Sequence, residues 1–120
     1  MPLSPGQIYR AFSEDNYDHF VIVVSDEKFN RGDYVHCVPV TSKKFEVRST
    51  LPNCVPFDSG QYCFTTRCVA QCDALTLMIV GELSPGPPID TLNDVHLREV
   101  IRAIGHVLGS ECEPLNGRHP

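Results

Sequence analysis

Short apolar runs separated by polar turn residues occupy most of the first 83 positions of the chain. The run HFVIVV at 19–24 is almost purely β-branched and too short for a helix, which is typical of a buried strand. The run YVHCVPV at 34–40 alternates in polarity, and Pro39 indicates a sheet edge or the exit of a strand. Further strands are predicted at 7–12, 54–57, 62–72 and 77–83, and a polar loop at 43–53.

The hydrophobic period changes after the segment SPGPP at 84–88. Apolar residues then recur at spacings of three and four between 97 and 108, which predicts an amphipathic helix. Thr91 and Asp94 form a loose capping box before it, and Gly109 suits its end. The pattern therefore predicts a mainly β fold, a small curved sheet or barrel of short strands with a C-terminal α-helix.

Length and composition favour a single globular domain. The chain has 120 residues, of which 42% are hydrophobic and 21% charged. We expect one domain over residues 1–110 and a flexible tail over 111–120. No run approaches the ~18 apolar residues of a membrane span, and no basic segment followed by an apolar stretch indicates a signal peptide. These features predict a cytoplasmic protein without a membrane partner.

The sequence contains six cysteines, at 37, 54, 63, 68, 72 and 112. A disulfide framework is not expected in a cytoplasmic chain. The cluster CFTTRCVAQC at 63–72 lacks a CxxC pair, so a zinc site is the weaker interpretation and small buried apolar residues the stronger one. We therefore predict neither a metal nor another cofactor.

The net charge of −5 argues against binding polyanions over the whole surface, but the charge is uneven. Basic residues outnumber acidic ones only between positions 28 and 50. This basic zone is either a solvated loop or a phosphate-contacting surface, and the sequence leaves both open.

Several motifs, taken together, resemble the MazF/PemK family of toxins from toxin–antitoxin pairs. VIVVSDEKFNRGDYVHCVPVTS at 21–42 is similar to the family's second and third strands, and GQI at 6–8 to its start. CVAQCDALTL at 68–77 is similar to the family's strand that ends in Arg-Cys-Asp, and GELSPG at 81–86 with the helix after it is similar to the family's Gly-Lys/Arg-Leu and terminal helix. These pieces occur in the family's order, so the resemblance covers about 5–109 with gaps. It implies an SH3-like barrel with a C-terminal helix, a fold that CcdB-type gyrase poisons share. It also implies a homodimer that cuts single-stranded RNA without metal and is blocked by a cognate antitoxin protein.

The resemblance also implies site residues. Thr41 stands at the family's catalytic threonine and Asp73 at the functional aspartate of its PemK branch. His19 and Phe20 stand where the family usually has Arg-Pro, and Gln71 replaces another arginine. The resemblance implies catalytic roles for Thr41 and Asp73. We predict a catalytic role for His19 as well, because histidine exchanges protons near neutral pH. The predicted RNA contacts are Arg31, Ser42, Lys43, Lys44, Arg67 and Gln71.

Ordinary structural roles compete with these assignments. Thr41 and Ser42 could form a turn, and Asp73 could cap one. Phe29 is expected in the core and Asn30 in a loop turn. Two functions stay open: a ribonuclease toxin, or a non-catalytic relative that binds a gyrase-like protein or an antitoxin.

Overall fold

The computed structural model describes residues 2–12 and 19–109, and these form seven strands and two α-helices. The strands are β1 (Gln7–Ala11), β2 (His19–Val23), β3 (Tyr34–Thr41), β4 (Cys54–Phe57), β5 (Cys68–Gln71), β6 (Thr76–Ile79) and β7 (Asp90–Thr91). The helices are α1 (Phe45–Arg48) and α2 (Asp94–Val107). The mainly β fold with a C-terminal helix is confirmed. The predicted tail at 111–120 lies outside the described residues.

Strand β3 is the centre of one curled antiparallel sheet, ordered β4-β5-β3-β2-β1-β7. On one edge it pairs with β2, ending where Pro39 lies opposite Val21. On the other edge its first half pairs with β6 and its last two residues pair with β5. Pro39 lies between these two ladders. The proline that suggested an edge or an exit instead marks the point where a central strand changes partner.

Two apolar cores lie on the two faces of the sheet, since successive strand residues point to opposite sides. Ile8 and Ile22 belong to the core beneath α2, whereas their neighbours Tyr9 and Val23 belong to the smaller core. This double coverage explains why β2 is an unbroken apolar run. The helix contributes Val100, Ala103 and Ile104 to the larger core.

Helix α2 begins after Asn93, whose side chain accepts a hydrogen bond from the backbone N–H of His96 at 2.9 Å. The expected capping pair of Thr91 and Asp94 is therefore wrong, and Asn93 is the cap. Gly109 follows the helix with φ of +84°, the left-handed conformation that favours glycine at a helix end. Neither helix in the described residues is long and apolar enough to cross a membrane.

The segment before β5 is irregular, so the expected strand at 62–72 shortens to Cys68–Gln71. Turns close it, with the N–H of Gly60 donating to the carbonyl of Phe64 at 2.8 Å. Tyr62 has φ of +52° and its hydroxyl lies 2.6 Å from Nδ1 of His96 on α2. This contact fixes the 58–67 segment against the helix.

Phe29 lies outside the core, whereas Asn30 lies in the expected loop turn with its side chain buried. Phe29 is 70% exposed, so its prediction as a core residue is wrong. Asn30 is 4% exposed and bonds to Leu3 and Ser25. A 3-10 turn over Glu27–Phe29 directs the aromatic ring outward and the amide inward. Likewise, residues 45–48 form α1 rather than part of a loop.

Candidate functional site

A groove of about 210 Å³ opens where the start of β2, the end of β3 and the start of β5 meet. We call it the His19–Thr41 groove. Its apolar wall consists of Phe20, Val40, Phe64 and Cys68. Its polar rim consists of His19, Thr41, Ser42, Lys43, Thr65 and Thr66. The apolar wall is therefore bordered by a rim that carries hydroxyl groups, one lysine and one histidine.

The strand register explains why His19 and Thr41 share this groove. The β2–β3 ladder ends with Val21 opposite Pro39. Continuing the same antiparallel register by two residues brings His19 opposite Thr41. The two residues, which lie 22 positions apart in the chain, thus reach the same end of the β2–β3 pair, where both line the groove.

The hydroxyl of Thr41 is oriented by the turn that follows it. Its Oγ1 accepts a hydrogen bond from the backbone N–H of Lys43 at 3.1 Å. The hydroxyl proton can therefore donate to a ligand in the groove. The turn that competed with a functional role is real, and it leaves the donor capacity of Thr41 intact.

Helix α1 holds the lysines that follow Ser42. The guanidinium of Arg48 donates to the carbonyl of Lys43 at 3.0 Å. Lys44 precedes the helix as its N-cap with φ of 55°, and both lysine side chains are exposed. Part of the basic zone therefore lies at the groove.

Arg67 lies just before β5 and next to the rim residue Thr66. Its guanidinium forms an ion pair with Glu46 at 2.8 Å and stacks on the ring of Phe45 at 4.5 Å. Both charged side chains are more than half exposed, at 54% and 80%, so the pair can exchange with a phosphate.

Three other predicted residues lie away from the groove. Asp73 follows β5 in a 3-10 turn, roughly 10 Å along the chain from Val69, which pairs with Thr41. Gln71 is at the same end of β5. Arg31 precedes the opposite end of β3, about 20 Å or more from Thr41, and lines a separate depression with Leu3 and Asn30.

Thr65 and Thr66 line the groove and Arg10 contacts its wall, although none of the three was a predicted site residue. The two threonines lay inside the expected strand at 62–72, and nothing in the sequence indicated that they would be exposed at the rim of a groove. Arg10 lies opposite Phe20 in the β1–β2 ladder, with its guanidinium carbon 4.7 Å from the ring centroid. Only the pairing of the two strands reveals that contact.

The cysteines behave mainly as buried apolar residues. Cys37, Cys54, Cys68 and Cys72 are buried, and Cys63 is half-buried. Burial raises the pKa of the Cys37 and Cys72 thiols to about 12 and that of Cys68 to about 11. Among the residues that the structure describes, no three His, Cys, Asp or Glu side chains are grouped to hold a metal ion.

Solved structures share this architecture at low sequence identity. An endoribonuclease in complex with its cognate antitoxin, from a mycobacterial species, has a TM-score of 0.72 and 19% identity over 89% of this chain and 95% of its own. The Mycobacterium tuberculosis toxin MazF-mt6 has a TM-score of 0.69 and 22% identity over 85% of this chain and 95% of its own. This chain has the fold of the MazF toxins.

A MazE–MazF structure from Deinococcus radiodurans also shares the MazF fold, with a TM-score of 0.69 and 16% identity over 91% of this chain and 98% of the other. No protein-family model matches the chain, and no curated protein matches it significantly. Structural similarity at such low sequence identity establishes the fold and does not establish the activity.

Proposed function

We propose that this chain is the toxin of a toxin–antitoxin pair and a metal-free endoribonuclease that cleaves single-stranded RNA. The observation that supports it best is the His19–Thr41 groove, whose lining includes a histidine and a threonine hydroxyl that is oriented by its own turn. Neighbours with the MazF fold include an endoribonuclease and a MazE–MazF complex. We accordingly propose an antitoxin protein as partner and a homodimer as the working form.

The proposed reaction is an internal transfer at phosphorus. The 2′-oxygen of one ribose bonds to the adjacent phosphorus, and the bond from that phosphorus to the 5′-oxygen breaks. A base takes the 2′-hydroxyl proton, and an acid protonates the leaving 5′-oxygen. The products carry a 2′,3′-cyclic phosphate and a 5′-hydroxyl, so no water is consumed in this step.

His19 has the chemistry to transfer one of these protons, because imidazole both accepts and donates near neutral pH. Thr41 and Ser42 donate hydrogen bonds to the phosphate oxygens as charge develops. Lys43 supplies positive charge at the same rim. These roles require only groups that line the groove.

The remaining predicted residues take outer roles in this proposal. Arg67 would exchange Glu46 for an RNA phosphate, and Lys44 would contact the backbone beside it. Asp73 and Gln71 would act on a nucleotide further along the strand, with Asp73 a second candidate for proton transfer. Arg31 would meet RNA only beyond the groove.

The test uses purified protein and a long single-stranded RNA in EDTA. We expect discrete cuts ending in cyclic phosphate, and at least a roughly 100-fold slower rate in His19→Ala and Thr41→Ala. His36→Ala and Thr91→Ala are matched controls, because both side chains are exposed and outside the groove. Cuts that persist unchanged in both groove variants would refute the proposed site.

A non-catalytic relative that binds a protein target is the second candidate. Two observations favour it: His19 and Gln71 replace arginines that the family usually has, and the chain carries a net charge of −5. Growth arrest on expression separates the two functions. Arrest that survives both groove substitutions would indicate a protein target, whereas arrest lost in both supports the ribonuclease.

A further inference from the structure

We propose that Tyr62 and His96 are positioning residues of the His19–Thr41 groove, and that their hydrogen bond holds the part of its wall and rim formed by residues 64–66 where bound RNA requires it. This inference rests on the proposed function. Neither residue lines the groove, and neither was a predicted site residue. Both act on RNA only through the 58–67 segment.

The 58–67 segment joins β4 to β5 and forms one side of the groove. Phe64 belongs to the apolar wall, and Thr65 and Thr66 belong to the polar rim. The structure describes the whole segment, and none of its residues belongs to a strand or helix. No sheet ladder therefore fixes these three side chains, and their position depends on contacts that the segment makes elsewhere.

The hydroxyl of Tyr62 anchors the segment on the start of α2. Its oxygen accepts a hydrogen bond from the backbone N–H of Asn93 at 3.1 Å and lies 2.6 Å from Nδ1 of His96. Because a backbone N–H can only donate, the tyrosine oxygen is the acceptor in the first bond, and its own proton is left to donate to Nδ1. One hydroxyl thus ties the segment to two residues of the helix start.

The backbone at Tyr62 depends on these contacts. Its φ of +52° lies in the left-handed region, which is uncommon for a bulky side chain. Such a conformation persists only where the surroundings determine it. The ring of Tyr62 meets those of Phe57 and His96 edge to face, with centroids 5.9 and 5.5 Å away. The hydroxyl bonds and these ring contacts are the restraints that hold the turn.

A row of aromatic rings connects this anchor to the groove. The ring centroid of Tyr62 lies 6.3 Å from that of Phe64, and Phe64 lies 5.5 Å from Phe20 on the opposite wall. Phe57, which is 1% exposed, supports Phe64 from the core at 5.1 Å. Because a protein core is close-packed, a shift of Tyr62 displaces Phe64 and the two threonines that follow it in the chain.

The test uses substitutions that remove the bond but keep a ring. Tyr62→Phe removes the hydroxyl, and Tyr34→Phe removes the same group from an exposed tyrosine at the far end of β3 from the groove. His96→Phe removes the acceptor, whereas His96→Asn returns an acceptor at the δ position. Asn30→Ala controls for lost stability, because Asn30 bonds to residues away from the groove.

Two readouts are used, at a temperature where circular dichroism shows every variant folded. The first is the single-turnover rate of RNA cleavage at saturating enzyme, which is independent of affinity. The second is the nuclear magnetic resonance signal of the Thr65 and Thr66 backbone N–H groups. It is recorded without ligand and during titration with a single-stranded DNA of the same sequence, which lacks the 2′-hydroxyl and is not cut.

We expect Tyr62→Phe and His96→Phe each to slow cleavage by about 10-fold, because a small displacement of positioning groups is costly at saturation. The double variant should also lose about 10-fold rather than about 100-fold, because both substitutions remove the same bond. His96→Asn should recover part of the rate. Tyr34→Phe and Asn30→Ala should match the wild type.

The Thr65 and Thr66 signals should shift in Tyr62→Phe and stay in place in Tyr34→Phe. Equal rates and equal signals for these two variants would overturn the inference while leaving the ribonuclease intact. An equal loss of rate in Asn30→Ala would also overturn it, since the effect would then be one of stability.

A wild type that cuts no RNA would refute the proposed ribonuclease, and the signals would then decide the positioning role by themselves. DNA that shifts the Thr65 and Thr66 signals in the wild type and fails to do so in Tyr62→Phe would support the role. Identical titrations of both proteins would overturn it. A wild type that neither cuts RNA nor responds to DNA would overturn both proposals.

Discussion

The buried amide of Asn30 allows a quantitative test of what holds the β2–β3 connection. Its Nδ2 donates to the carbonyls of Leu3 and Ser25 at 2.8 and 2.9 Å. Its Oδ1 accepts from Oγ of Ser25 at 2.6 Å, and that Oγ accepts from the N–H of His36 at 3.0 Å. One side chain thus joins the N-terminal segment, the end of β2 and the start of β3. Asn30→Ala removes all three of its bonds.

The expected loss follows from the number and burial of these bonds. A net hydrogen bond contributes about 1 kcal/mol, and a buried group left unpaired costs roughly 1–3 kcal/mol. Leu3 and Ser25 are only half-buried, so water can reach part of the gap. We therefore expect Asn30→Ala to lower the free energy of unfolding by about 3 kcal/mol.

Asn30→Asp should be worse at neutral pH, by about 4 kcal/mol, because a carboxylate has no donor for the two carbonyls that it faces. Burial beside carbonyl oxygens raises the pKa of the introduced carboxyl in the folded state above its unfolded value. The extra loss is therefore present at neutral pH and is relieved as the pH falls through the raised folded pKa, when the carboxyl regains a donor.

Urea unfolding followed by circular dichroism measures both variants. With a slope of about 2 kcal/mol per molar urea, a loss of 3 kcal/mol lowers the midpoint by about 1.5 M. Asn53→Ala is the control, because the Asn53 side chain is half-buried and its amide donates a weak hydrogen bond to the Cys54 sulfur at 3.6 Å. Equal midpoints for Asn30→Ala and Asn53→Ala, or no pH difference for Asn30→Asp, would refute the reasoning.

Three further predictions concern other elements. Glu46→Gln removes the partner of Arg67 and should tighten single-stranded DNA binding about 2- to 5-fold at low salt, an effect that vanishes if Arg67 does not meet nucleic acid. Cys37 and Cys72 should resist iodoacetamide at pH 8 until urea unfolds the chain, because their raised pKa values keep the folded thiols protonated; rapid labelling of the folded protein would contradict this. For the same reason the free energy of unfolding should fall as the pH rises from about 9 toward 12, where the thiols ionise only in the unfolded chain. Asn93→Ala should lower the free energy of unfolding by about 1 kcal/mol, measured in urea, whereas Asn93→Ser should nearly preserve it.

The local hydrophobic pattern was sufficient to predict those strands and helices whose conformation depends mainly on their own side chains. The strand at 54–57 was predicted with the bounds it has, and α2 followed from its apolar spacing. A β-branched run and a period near 3.6 each identify a buried surface without reference to the rest of the chain. The same reasoning failed at 62–72, where contacts with α2 hold Tyr62 in a turn.

The resemblance to MazF toxins indicated that Thr41 and the position of His19 belong to a site, and the β2–β3 register explains why both lie at the same groove. It could not indicate Thr65 and Thr66, which join the groove only because β5 pairs with the end of β3.

The sequence by itself determined that this is a small, mainly β domain with a C-terminal helix, because periodicity is a local property of the chain. Only the tertiary structure decided that Asp73 and Arg31 lie away from the groove and that Arg10 stacks on its wall. Those placements depend on which strands pair and in what register. Pairing is set by burial of both sheet faces across the whole domain, and no short segment encodes it.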